Sequence, residues 1–139
     1  MTVQELRTLS GNDYLVRLVF EGEGYLSEGQ SALVVQALTL RKQRGEIATY
    51  GPMAVALGFA TPQDLNYTEY MLATLRSAPG NRKPLGYYIL EQKLLKPSLL
   101  LEALEEQSQI GGRLGEIVVR NGWMSQAQVD SLLQLQAAA

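Results

Sequence analysis

Apolar residues in this chain recur three and four places apart through most of its length, and the last 56 residues carry one such pattern twice. Pro84-Leu85-Gly86-Tyr87-Tyr88-Ile89-Leu90 opens the first copy and Arg113-Leu114-Gly115-Glu116-Ile117-Val118-Val119 the second. Each copy closes on a glutamine, Gln107 and Gln136, so that two 24-residue units flank the five residues 108–112. A repeat of this length marks a supersecondary unit that buries its apolar face against a copy of itself.

In the second copy Leu114 and Val118 stand four places apart, which predicts a short helix over 114–120. Asn121-Gly122 stops it, because glycine just past a helix end takes the left-handed conformation without a Cβ penalty. Ser125 with Gln128 then forms a capping box, and Val129, Leu132, Leu133 and Gln136 share one face of the next helix. The unit is a helix, a tight turn and a helix. The same grammar recurs in the first half as Gly24-Tyr25-Leu26-Ser27 with Gln30, and as Gly58-Phe59-Ala60-Thr61-Pro62 with Asp64. The first copy of the strong pair has Lys93 at its turn and Pro97 just inside the next helix, where a missing N–H costs nothing.

These spacings predict an all-α protein of two pairs of helix-turn-helix units. An N-terminal helical subdomain spans 1–76, a linker rich in helix breakers spans 77–83, and the strong repeat pair spans 84–139. A longer helix is expected over 28–43, with Leu33, Val34, Ala37, Leu38 and Leu40 as its core face and the basic end Arg41-Lys42-Gln43-Arg44 complementing the helix dipole. In the strong pair, Leu104 and Leu133 hold matching core positions, and Leu101 lies off that face.

Composition narrows the chemistry. With 139 residues, 46% of them apolar, the chain can bury a core without staples. It has no cysteine and no histidine, which removes the thiol nucleophile, the usual zinc ligands and the default general base at neutral pH. Gly111-Gly112-Arg113 is not followed by the Lys-Ser or Lys-Thr of a phosphate-binding loop, and Glu102, Glu105 and Glu106 read as a solvated helix face, so a non-enzymatic role is expected. A net charge of −2 with no long basic run argues against a polynucleotide partner. The absence of a long apolar stretch or a leader-like N-terminus argues for a soluble cytoplasmic chain with no membrane insertion.

The paired units resemble the MshEN domain, found at the N-terminus of type II secretion and type IV pilus assembly ATPases. That family's motif runs Arg-Leu-Gly, two free positions, two aliphatics, two free positions, Gly, two aliphatics, spaced leucines and a closing Gln. The second copy keeps Arg113, Leu114, Gly115, Val118, Val119, Gly122, Leu133 and Gln136. The first keeps Leu85, Gly86, Ile89, Leu90, Leu94, Leu95, Leu100, Leu104 and Gln107, with Pro84 in place of arginine and Lys93 in place of glycine. The likeness covers about 40% of the chain strongly, residues 84–139, and the first half only faintly. It implies cyclic di-GMP as ligand, no cofactor, and a site formed by Leu85, Gly86, Gln107, Arg113, Leu114, Gly115 and Gln136, with Arg82 and Lys83 as accessory cations beside Pro84. Such a ligand asks for guanidinium groups for phosphate and base, glycine for backbone approach, and amides for base edges.

Protein contact is the competing reading. Leu99, Leu100 and Leu101 in succession cannot all face one core from one helix, and Tyr87 and Tyr88 occupy the motif's free positions. Tyr87, Tyr88, Leu99 and Leu101 are thus candidates for a surface that binds a partner or a second copy. Three functions remain open: a regulatory adaptor linked to secretion or pilus machinery, a true cyclic di-GMP receptor, and an oligomerisation module without ligand.

Overall fold

The computed structural model describes Leu9 and residues 11–77 and 83–138. Among them every regular element is a helix, and short and long helices alternate over most of the chain. They are α1 (Gly11–Glu23), α2 (Glu28–Gln43), α3 (Tyr50–Ala56), α4 (Pro62–Arg76), α5 (Leu85–Glu91), α6 (Pro97–Ile110), α7 (Leu114–Arg120) and α8 (Gln126–Ala138). The expected helices over 28–43 and 114–120 form with those bounds.

Four of the turns share one backbone solution. Gly24, Gly58, Lys93 and Gly122 have φ of 78°, 80°, 56° and 74°. In each turn the N–H of that residue donates to the carbonyl three residues back, and the next N–H reaches the carbonyl just before that one, five residues back from itself: Gly122 to Val119 and Trp123 to Val118, both at 3.0 Å, and Lys93 to Leu90 at 3.2 Å and Leu94 to Ile89 at 3.1 Å. This is the pairing that satisfies the orphan carbonyls of a helix end. Three residues later the next helix is capped. Ser27 and Gln30, Thr61 and Asp64, and Ser125 and Gln128 each exchange two hydrogen bonds, whereas Lys96 is followed by Pro97.

Internal packing divides the chain into two compact units, Met1–Leu72 and Ala73–Ala139. The division falls inside α4, ahead of the boundary expected at residue 76, because the last turn of α4 packs onto α5: Leu75 Cδ1 would lie 2.7 Å from a Cβ built on Gly86. The segment read as a linker, 77–83, lies mostly outside the described residues.

In the second unit the short helices α5 and α7 touch each other, and each touches both long helices, α6 and α8. The contact is reciprocal. A Cβ on Gly86 would meet Leu114 at 3.5 Å, and a Cβ on Gly115 would meet Leu85 at 3.5 Å, so the Leu-Gly pair of each copy receives the other. The core behind them holds Ile89, Leu100, Ile117 and Val118, all close to fully buried.

Burial corrects several assignments. Leu101 is 4% exposed and belongs to the core, while Leu133 is 45% exposed. Helix α6 is flanked by both α5 and α7, so its buried stripe is wider than one face and takes Leu100 and Leu101 together, with Leu99 half-buried. Tyr88 is buried and Tyr87 half-buried, so neither Tyr88 nor Leu101 can form the contact surface expected of them. In the first unit α2 buries Val34, Val35 and Leu38 but leaves Leu33 and Leu40 exposed. Its basic end is solvated, with Arg41 paired to Glu46 at 3.5 Å.

Two stability measurements test this packing. Leu101→Ala should cost about 2–5 kcal/mol in denaturant melts and Leu133→Ala well under that, since only the first opens a core cavity. Lys93→Gly should raise stability by about 1 kcal/mol, because lysine bears the left-handed penalty that glycine escapes; a loss of stability would show that the lysine side chain outweighs it.

Candidate functional site

The spacing of the turns defines equivalent positions in all four helix pairs. Eight residues before the turn stand Val16, Tyr50, Leu85 and Leu114. Seven before it stand Arg17, Gly51, Gly86 and Gly115, and seven after it Ser31, Leu65, Leu100 and Val129. In three pairs a glycine is overlaid by the aliphatic chain of the next long helix: Leu65 would lie 2.5 Å from a Cβ on Gly51, Leu100 3.4 Å from one on Gly86, and Val129 2.7 Å from one on Gly115. In the remaining pair the sizes are exchanged. Arg17 takes the glycine position, and Ser31 takes the aliphatic one and accepts from Arg17 Nε at 3.1 Å.

That exchange builds a buried polar cluster in the first unit. Arg17 Nε also meets Glu21 at 2.8 Å, Ser31 Oγ shares a 2.6 Å hydrogen bond with the Tyr50 hydroxyl, and the Tyr50 N–H donates to Asp13 at 3.1 Å. Arg17 Nη1 is buried with no hydrogen-bond partner among the described residues, a cost of about 1–3 kcal/mol. Burial pushes the Tyr50 phenol from 10.0 up to about 12, opposed by the Ser31 hydrogen bond and reinforced by Glu21. Sequence reasoning missed this cluster, although the glycine seven places before the turn in three pairs was a signal that Arg17 is the exception.

The second unit instead has a cavity of about 530 Å³. Its first-copy walls are Pro84, Leu85, Leu104 and Gln107, its second-copy walls include Arg113, Leu114, Gly115, Glu116, Val129, Leu133 and Gln136, and Gly112 lies between. Six of the seven expected ligand residues therefore converge. Gly86 does not join them, being buried beneath Leu75, Leu100 and Leu114.

The closing glutamines, whose place at helix ends also suits a capping task, bond to backbone carbonyls. Gln136 Nε2 donates to the Lys83 carbonyl at 2.8 Å, and Gln107 Nε2 donates to the Gly112 carbonyl at 3.1 Å. Lys83 and Gly112 are the residues that precede the two motifs, so each copy's last helix fastens the entry to the other copy. The glutamine nitrogens expected to read a base edge are thus engaged with the backbone.

Arg113 is exposed, and its guanidinium has no hydrogen bond or ion pair among the described residues. Pro84, its counterpart, has φ −63° and ψ 154°, close to the −93° and 138° of Arg113, so proline leaves the chain path intact and removes only the side chain. Lys83 does not replace the missing cation: its ammonium sits 4.9 Å from the Tyr87 ring centroid and 5.8 Å from that of Tyr88. Arg82 lies outside the described residues. No group of metal-ligating side chains occurs among the described residues, and none of their helices is long and apolar enough to cross a membrane. Compared with known proteins, the chain matches no family model, no curated protein and no solved structure.

The raised Tyr50 value carries a pH dependence. The unfolded phenol ionises near 10 and the folded one near 12, so the stability it contributes is complete below pH 10 and is lost as pH rises through 12. Tyr25 is also held up at about 12, first by burial and then by Glu23. Melts at pH 8 to 12 should show the alkaline loss reduced, not abolished, in Tyr50→Phe, and that variant should cost about 1 kcal/mol at pH 8.

Proposed function

We propose that this chain is a non-enzymatic regulatory or adaptor module of MshEN type, whose second-unit cavity takes cyclic di-GMP and whose output passes to a protein partner. The carrying observation is the convergence of Leu85, Gln107, Arg113, Leu114, Gly115 and Gln136, drawn from both copies, on one cavity in which the Arg113 guanidinium is unpaired among the described residues. A volume of about 530 Å³ suits a small organic ligand. Leucine and valine side chains supply an apolar floor, and a guanidinium supplies planar, charge-assisted hydrogen bonding to phosphate. The reading carries with it a cytoplasmic setting and a link to type II secretion or type IV pilus assembly.

The second reading, an interaction module without ligand, is favoured by apolar exposure elsewhere on this unit. Ile110 is 74% exposed and Leu135 44%. Such residues suit a partner or a second copy better than solvent.

Calorimetric titration with cyclic di-GMP separates the two. Arg113→Ala should remove a contact worth about 1.5–3 kcal/mol and weaken binding roughly ten- to a hundredfold. Pro84→Arg should tighten it, since the backbone there already matches that of Arg113. If neither the wild type nor Pro84→Arg binds at high micromolar ligand, the receptor reading fails and the contact module stands.

A further inference from the structure

The charged side chains that line the cavity are Arg113 and Glu116. Both are exposed, both come from the second copy, and neither makes a side-chain hydrogen bond or ion pair among the described residues. Their first-copy counterparts are Pro84 and Tyr87, so among the described residues the charged walls come from the second copy, while the first copy contributes the neutral amide of Gln107. A carboxylate at the rim of a site for a bare anion would repel it. It is compatible with an anionic ligand only if that ligand also presents N–H donors close to its phosphate, because an ionised carboxylate accepts hydrogen bonds and donates none.

Guanine offers such an edge. Its N1–H and exocyclic N2–H lie side by side and can both be accepted by one carboxylate. Adenine presents a bare ring nitrogen there beside its single amino group, setting lone pair against lone pair. Resting on the reading that the cavity holds a cyclic dinucleotide, we propose that Glu116 is its base-selecting residue, accepting the N1–H and N2–H of one guanine while Arg113 holds the adjoining phosphate. The other half of the ligand lies against Pro84 and Leu85, which contribute no charge. Selection then works by attraction and repulsion together: guanine satisfies the carboxylate, and adenine leaves it unpaired against a ring nitrogen.

The test compares cyclic di-GMP with cyclic di-AMP, by calorimetry, on the wild type, Glu116→Gln and Arg113→Ala. Glu116 is exposed and has no intramolecular side-chain partner among the described residues, so Glu116→Gln should keep the wild-type melting temperature and helical circular dichroism. It should weaken cyclic di-GMP about tenfold or more and leave cyclic di-AMP unchanged or tighter, collapsing the preference between them. Arg113→Ala should weaken both dinucleotides by a similar factor, since phosphate is common to them. Binding of cyclic di-GMP with an unaltered preference in Glu116→Gln would overturn the role of Glu116 and leave the receptor reading standing. Failure of the wild type to bind either dinucleotide would overturn both.

Discussion

The second unit depends on the close approach of two short helices. Neither α5 nor α7 is long enough to be stable alone, and each gains its order from neighbours on several sides. The second residue of each helix is glycine, and what it admits is a long helix: Leu75 of α4 lies over Gly86, and Val129 of α8 lies over Gly115. A methyl group on Gly86 or Gly115 would fall 2.7 Å from a side-chain carbon, inside the contact distance that a packed core tolerates. Once the two Leu-Gly pairs interlock, the long helices α6 and α8 are carried to opposite partners. Their closing glutamines then reach the carbonyls of Gly112 and Lys83. The cavity is walled by both copies, with the tightly packed pair Gly115 and Val129 on its second-copy side.

The first unit meets the same steric demand with other chemistry. Where α1 carries Arg17 in place of glycine, α2 carries Ser31 in place of an aliphatic residue, so a large side chain on one helix is matched by a small one on the other, and the contact becomes polar. Tyr50, the counterpart of Leu114, fills the junction with a ring and ties its hydroxyl to Ser31. A buried guanidinium with one nitrogen unpaired is a costly way to fill space, and its specificity comes from geometry: Glu21 and Ser31 accept from the same Nε. One backbone plan thus supports an aliphatic, cavity-forming junction in one unit and a polar junction in the other.

Function, in this reading, turns on the ways the two strong copies differ. Pro84 keeps the extended backbone of Arg113 and forfeits its charge, and Tyr87 stands opposite Glu116 with Lys83 placed over its ring. The pseudo-symmetric frame is retained, and the charged side chains among the described cavity walls lie in one half. A ligand with two equivalent halves would therefore meet two unlike surfaces.

The sequence by itself determined the local structure. Turn glycines and caps act within a few residues, so the helix over 28–43, the helix over 114–120, and the turns at Gly24, Gly58, Lys93 and Gly122 were legible from spacing alone, even where lysine stands in for glycine. The resemblance carried by the repeat also nominated residues for a site, and six of the seven line one cavity. Burial was decided only by the tertiary structure. Which of Leu99, Leu100 and Leu101 is covered depends on how many helices flank α6, and Leu133 lost its core assignment because its turn of α8 borders a cavity. The tasks of Gln136 and Arg17 were hidden for the same reason: they reach partners beyond their own helices, and the geometry that unites them exists only after the helices of each unit have packed.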